Sequence, residues 1–343
     1  MPINTIEETV VASLENVKPA KGGMINLVFG KTVPQTFGTE TINLDIYDGK
    51  RGEAGYTARG ATGQTLGVEG WETIVVTPPL INEGYVVSAR DLAVREFGKG
   101  NVNTEKRQQA KFQQHIDRQE QRRQNRKIRA YNAQVISLIT TGKVTIVEMD
   151  DKGKSKASRT VDFNMPPSHI YSVPVAWDDP TATIFKDMED LDEAINKASG
   201  LKPDYAIVGK NTIYNILANK EVQKLIDNRR INLGDLVKED KGDGLVYWGH
   251  LGGKDIYTFE EFKEDGTPLV PADAYIAGST MAELDILHGS IDTIIDGEPR
   301  IVEAEEIFYT KVDEDSVTKK FNFVSARLYA LTQAGAFGCL TTN

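Results

Sequence analysis

Residues 104–142 read TEKRQQAKFQQHIDRQEQRRQNRKIRAYNAQVISLITTG, with no proline and a single glycine at the end. That composition predicts one uninterrupted helix of roughly 58 Å at about 1.5 Å per residue. How this helix is held decides the fold. From Thr104 to Arg129 its large apolar residues are Phe112 and Ile116, one turn apart, and Ile128, set among seven glutamines and nine lysines or arginines. A helix so polar is not expected to be held by burial in its own core. Only the last third, with Tyr131, Val135, Ile136, Leu138 and Ile139, carries a stripe fit for burial. Its three acidic residues are Glu105, Asp117 and Glu120, and the whole chain has net charge −10. The helix is thus positive, and the other segments together hold about −16. Three readings of the basic face stand open. Arg107, Lys111, Arg118, Arg122, Arg123 and Arg126 meet nucleic-acid phosphates without reading bases, meet acidic surface on another chain, identical copies included, or are simply solvated.

Working outward, 343 residues suffice for one large core or two smaller ones, and 40% hydrophobic with 26% charged residues is ordinary for a folded protein. The overall acidity argues against a general nucleic-acid binder, so any such contact is local to the helix. The start, MPINTIEETVVASLENV, has Glu7 and Glu8 where a secretion signal needs positive charge, and nothing approaches the ~20 apolar residues of a membrane span. The expectation is a cytosolic, non-membrane protein. Cys339 is the only cysteine, which excludes an intrachain disulfide and a cysteine metal cluster.

Residues 1 to about 36 are weakly patterned and read as an extended arm. Ile42, Leu44 and Ile46 then alternate with polar neighbours, and WETIVVT begins a second strand at Trp71. Between them, residues 48–70 hold seven glycines in 23 positions, so the pair predicts a long two-stranded flap that lies on something or moves. After the helix, KVTIVEMD and SRTVDFNM read as a hairpin. Ile184, Met188, Leu191 and Ile195 recur at helical spacing with Gly200 as the stop. DYAIVG reads as a buried strand, the next twenty residues as one or two helices started by Asn211, and LVYWGHLGGKDIYTF as a hairpin over Gly252-Gly253. Residues 300–332 predict two long strands around the acidic turn DEDS.

Signals of catalysis are weak throughout. Gly209-Lys210 follows a strand, but a phosphate loop needs glycine where Asp204 stands and serine or threonine where Asn211 stands. His115, His169, His250 and His288 are scattered without metal-ligand spacing, and no nucleophile elbow is present. Acidic clusters at Asp178-Asp179, Asp187 to Asp192 and Asp313 to Asp315 read as helix starts, helix faces and turns. The expectation is a non-enzyme with no cofactor and no metal.

An arm, a glycine-tipped flap and a helix too polar for its own core make sense if neighbouring subunits supply the missing contacts. The segments VAWDDPTATIFKDMEDLDEAI, GLKPDYAIVGKNTIYNILANKEVQKLIDNR and TPPLINEGYVVSARDL, together with the order of elements, resemble the major capsid proteins of tailed phages, specifically the lambda-like capsid protein E group. This resemblance implies an α+β chain of the Hong Kong 97 capsid fold. Residues 1–36 would be the N-terminal arm, 37–77 the extended loop, 78–177 and 299–343 the peripheral domain with its spine helix 104–142, and 178–298 the axial domain. The peripheral sheet would take strands from 143–164 and 301–332. The implied function is self-assembly into hexamers and pentamers that form the icosahedral head around packaged double-stranded DNA, in the virion after assembly in the host cytoplasm. Portal, scaffold and decoration proteins are the implied partners, besides non-specific DNA contact. Lys50, Arg51 and Arg59 near the loop tip are candidates for inter-subunit ion pairs, or merely keep that tip soluble. The alternatives are an encapsulin-like nanocompartment shell of the same fold, or a soluble nucleic-acid-binding protein using the basic helix.

Overall fold

The computed structural model describes residues 21–47, 71–88, 105–149, 154–227, 234–235, 238–263, 265–295, 298–313 and 318–343. Its helices are α1 (Gly23–Phe29), α2 (Glu105–Thr141), α3 (Ile184–Ser199), α4 (Lys210–Ala218) and α5 (Lys220–Asp227). The strands run β1 (Pro34–Thr36), β2 (Ile42–Tyr47), β3 (Trp71–Val76), β4 (Leu80–Ser88), β5 (Lys143–Met149), β6 (Ser155–Asp162), β7 (Ile170–Ser172), β8 (Tyr205–Val208), β9 (Gly234–Asp235) and β10 (Glu239–Asp240). They continue with β11 (Leu245–Leu251), β12 (Lys254–Phe259), β13 (Ala274–Gly278), β14 (Leu284–His288), β15 (Ile291–Ile295), β16 (Glu298–Val302), β17 (Ile307–Asp313), β18 (Thr318–Leu331) and β19 (Phe337–Thr341).

An eight-stranded sheet runs in the order β10-β11-β12-β8-β13-β19-β7, with β9 on β11, and its central strands β8, β13 and β19 are buried on both faces. Alternation decides which core each residue joins. Tyr205, Ile207, Ala274 and Ile276 face the core shared with α1 and the end of α2. Ala206, Val208, Tyr275 and Ala277 face a second core under α3 and α4. Helix α3 buries Ile184, Met188, Leu191 and Ile195 there and stops at Gly200, whose φ of 80° is the left-handed cap that glycine adopts freely. The second helical segment starts at Lys210, not Asn211, whose side chain instead binds Asp273 at 2.8 Å. Asn219 supplies a cap within this segment, its Oδ1 accepting from the amides of Glu221 and Val222 and opening α5.

The five-stranded sheet is built on β18, which pairs with β4, β17 and β14, while β1 extends β14 in parallel. Residues 23–36, expected as part of an extended arm, are packed. Met24 and Phe29 are buried, and the Phe29 ring lies 4.8 Å from that of Tyr329. Residues 1–20 lie outside the described residues. The hairpin β5–β6 forms as expected but pairs only with itself among the described residues, not with the closing strands. The first of the two closing strands is broken. Glu298–Val302 pairs with β15 and Ile307–Asp313 with β18, and between them Glu305 and Glu306 pair with arginine and lysine side chains. Sheet membership also crosses the expected domain limits, for β19 joins β13 and β14 joins β18.

Candidate assembly surfaces

Helix α2 crosses the β4–β18–β17 sheet on one continuous stripe, Phe112, Ile116, Glu120, Arg123, Lys127, Tyr131 and Val135, spaced three or four residues apart. Ile116 enters a cluster with Tyr85, Val87, Phe321 and Phe323. One turn on, the same stripe becomes ionic. Glu120 is fully buried and accepts from Arg123 Nε at 3.0 and 3.1 Å, from Arg123 Nη2 at 2.6 Å and from Gln124 Nε2 at 3.0 Å. The Arg123 guanidinium covers the Phe323 ring at 3.7 Å and reaches Glu306 with Nη1 at 2.9 Å, and Lys127 pairs with the same carboxylate. Burial works against the charge on Arg123, but hydrogen bonds and attraction from Glu120 and Glu306 outweigh it and raise its pKa. Burial likewise opposes ionisation of Glu306, and Lys127 with Arg123 overcomes it, so that carboxyl titrates below its ordinary range.

This corrects two expectations. From Phe112 to Lys127 the polar part of the helix is held by its own chain, through a polar seam. Arg123, expected to reach DNA or a neighbour, is 6% exposed and fully engaged inside the subunit. The stripe spacing could have exposed this, since Glu120, Arg123 and Lys127 occupy the successive stripe positions between Ile116 and Tyr131. Arg118, Arg122 and Arg126 do share an exposed face at four-residue spacing. Arg126 pairs with Glu83 at 3.0 Å and the nearby Arg129 with Glu261 at 2.7 Å, while Arg118 and Arg122 have no ion pair among the described residues. The side chains of Arg107 and Lys111, and all of Lys50, Arg51 and Arg59, lie outside the described residues.

The flap is a sheet of its own, with β2 and β3 antiparallel from Ile42↔Val76 to Tyr47↔Trp71. Ile42, Leu44 and Val76 are buried, Val75 is exposed, and Glu72 accepts from Asn164 Nδ2 at 2.8 Å beside the β5–β6 hairpin. Between the flap root, β4, α2 and β5 runs a groove of about 1100 Å³ lined by Leu80, Tyr131, Val147, Met149 and Arg327 among others. Two strand edges border it, since β4 pairs only with β18 and β5 only with β6 among the described residues.

Two of the histidines are engaged within the fold. His169 has its ring nitrogens 2.9 and 3.2 Å from the carbonyl oxygens of Phe337 and Ala194, and His250 lies 3.2 Å from Asp255. Among the described residues there is no cluster of three histidine, cysteine or acidic residues able to hold a metal, and no helix long and apolar enough to cross a membrane.

This architecture is that of phage-type capsid subunits. A chain described as a prophage capsid protein from E. coli CFT073 superposes on 100% of this chain and 99% of its own at a TM-score of 0.65, with 13% identity. The chain belongs to the phage major capsid protein E family, whose sequence profile matches residues 8–337. Looser likenesses, which add nothing to the first, are to the capsid of a native GTA particle (TM-score 0.48, 11% identity, 95% and 91% covered) and a virus-like particle from Pyrococcus furiosus (TM-score 0.44, 12% identity, 98% and 98% covered). No curated protein sequence matches the chain.

Proposed function

We propose that this chain is the repeating subunit of a tailed-phage head, assembling into hexamers and pentamers that close around packaged double-stranded DNA. The observation that carries the reading is the family match over residues 8–337. Its role is mechanical, with no catalytic step and no cofactor. In this reading residues 1–36 are the arm, 37–77 the extended loop, 78–177 with 299–343 the peripheral domain, and 178–298 the axial domain, with β14 and β19 tying the last two together. The extended loop of one copy lies over the next, and the groove bordered by the β4 and β5 edges is the surface suited to receive it, because unpaired strand edges are satisfied by added strands. Heterologous contacts of this kind close into rings and rings into a shell. Arg118 and Arg122, with Arg107 and Lys111, are the helix cations proposed to meet a neighbour or DNA phosphates, and Lys50, Arg51 and Arg59 to pair across subunits. Assembly takes place in the host cytoplasm, with portal, scaffold and decoration proteins as partners.

Electron microscopy and sedimentation of the purified chain test this. Closed shells or capsomer rings are expected, and a uniformly small species that persists with scaffold and crowding agents would overturn the reading. In shells, Arg51→Glu is expected to lower the temperature of disruption. An unchanged temperature would remove that residue from the contacts.

A further inference from the structure

Besides its buried Ile42, Leu44 and Val76, the flap meets the body at its root around His288. His288 is the last residue of β14, paired with Thr36 of β1 on one side and Arg327 of β18 on the other. Its carbonyl accepts from the Phe37 amide at 2.9 Å, where the first leg of the flap leaves the sheet. Two residues on, the Ser290 amide binds the Thr39 carbonyl at 3.1 Å, and the second leg packs Pro78 against Gly289. The His288 side chain is fully buried, and its Nε2 accepts from Arg327 Nε at 3.0 Å. Arg327 is held in place by Glu305 at 3.2 Å and by the ring of Tyr131, whose centroid is 5.1 Å away.

A charged imidazole does not suit this site, although the neutral ring leaves its buried Nδ1 without a hydrogen-bond partner among the described residues. Accepting at Nε2 puts the single ring proton on Nδ1. A second proton would go to Nε2 and set one N–H against another, with two cations in contact away from water. The charged or titratable groups facing the ring are Arg327 and, beyond it, Tyr329 on β18, Glu305 in the β16–β17 connection, and Lys127 on α2. From β1 comes only Thr36, whose hydroxyl turns to Glu303.

We propose that His288 and Arg327 form an acid-opened latch at the root of the flap. When His288 gains a proton, its bond to Arg327 is lost, β14 is pushed from β18, and the backbone bonds that fix both legs of the flap loosen together. The direction follows from linkage. Burial first, and then the Arg327 charge, depress His288 from 6.5 to about 4, against an opposing pull from Glu305. The closed latch is therefore fully favoured above the ordinary histidine range and weakens as pH falls toward about 4. The inference rests on reading residues 37–77 as the loop that reaches a neighbour, but its test does not need shells.

Hydrogen exchange of the full, unassembled chain, followed by mass spectrometry and corrected for intrinsic rates, would be compared at pH 7 and pH 4. Peptides covering 34–47, 71–82 and 284–291 are expected to lose protection by on the order of 100-fold, while a peptide covering 131–141 changes far less. His288→Gln, which accepts from Arg327 and does not titrate, should abolish most of that loss. Glu305→Gln, at a half-exposed residue whose side-chain amide can still accept from Arg327, should move the transition to lower pH by removing the negative charge that favours the proton. Wild-type acid dependence in His288→Gln, or a root already open at pH 7 in Glu305→Gln, would overturn the latch. Exchange that behaves as expected in a chain that never forms shells would keep the latch and discard the capsid reading.

Discussion

The two parts of helix α2 are held in opposite ways. From Tyr131 to Thr141 the helix buries Val135, Ile136, Leu138 and Ile139 in the core it shares with α1 and the eight-stranded sheet. From Phe112 to Lys127 it meets its own sheet through one apolar cluster and then a buried ionic seam. Apolar burial is non-directional and tolerates small displacements, whereas a buried ion pair is favourable only in good geometry and costly when a partner is lost. The polar part is thereby fixed in register at little net gain in stability, and the apolar part supplies the stability without specifying the register so sharply.

The largest test of this contrast is Arg123→Ala, which would strand Glu120 without its cation in a fully buried site. A loss of about 3–5 kcal/mol is expected by denaturant titration, and a loss near zero would mean that the seam is wetter than its burial suggests. Replacing Glu120 and Arg123 together by leucine and methionine should be close to neutral or stabilising by about 1–4 kcal/mol, with assembly as the separate readout of whether register matters. In the apolar part, Leu138→Ala should cost about 2–5 kcal/mol through lost transfer energy and a residual cavity.

Acid should separate the two parts. Glu306 has its folded pKa below the ordinary 4.5, so the stability it confers is complete above that value and is lost as pH falls through the lowered one. Hydrogen exchange should therefore show residues 112–127 loosening before residues 131–141 as pH drops below about 4.5. Simultaneous loss would show that the helix behaves as a single unit. The smallest effect is expected at the surface. Arg126→Ala removes an exposed pair with Glu83 and should cost less than about 1 kcal/mol, and Arg122→Ala should leave stability within about 0.5 kcal/mol while still being measurable in DNA retention or shell yield.

Much of the fold was legible because periodicity reports burial directly. Ile42 and Leu44 on β2, the four apolar residues of α3 with its glycine stop, and the unbroken apolar run of β8 all took the expected form. The candidate surfaces were less so. Arg123 and Arg122 are adjacent and chemically identical in the sequence, yet one is enclosed over Phe323 and the other is exposed. Only the three-to-four spacing running from Ile116 through Glu120 separates them, and the carboxylate that completes the enclosure, Glu306, is 183 residues away. Likewise, residues 23–36 look unpatterned because α1 is only 7 residues long and β1 only 3, too short for a period to show. Their packing comes from Tyr329 and β14, far along the chain.

From its residues alone, this protein is an α+β chain with a long positive helix, a glycine-rich flap, and a resemblance to capsid subunits carried by local segments. Which cations remain free for partners, where the closing strand breaks, and what pins the root of the flap emerged in three dimensions. Helical and strand periods are written within a few neighbouring residues. Charge neutralisation and strand exchange join positions hundreds of residues apart, and burial there depends on what the rest of the chain brings to the site.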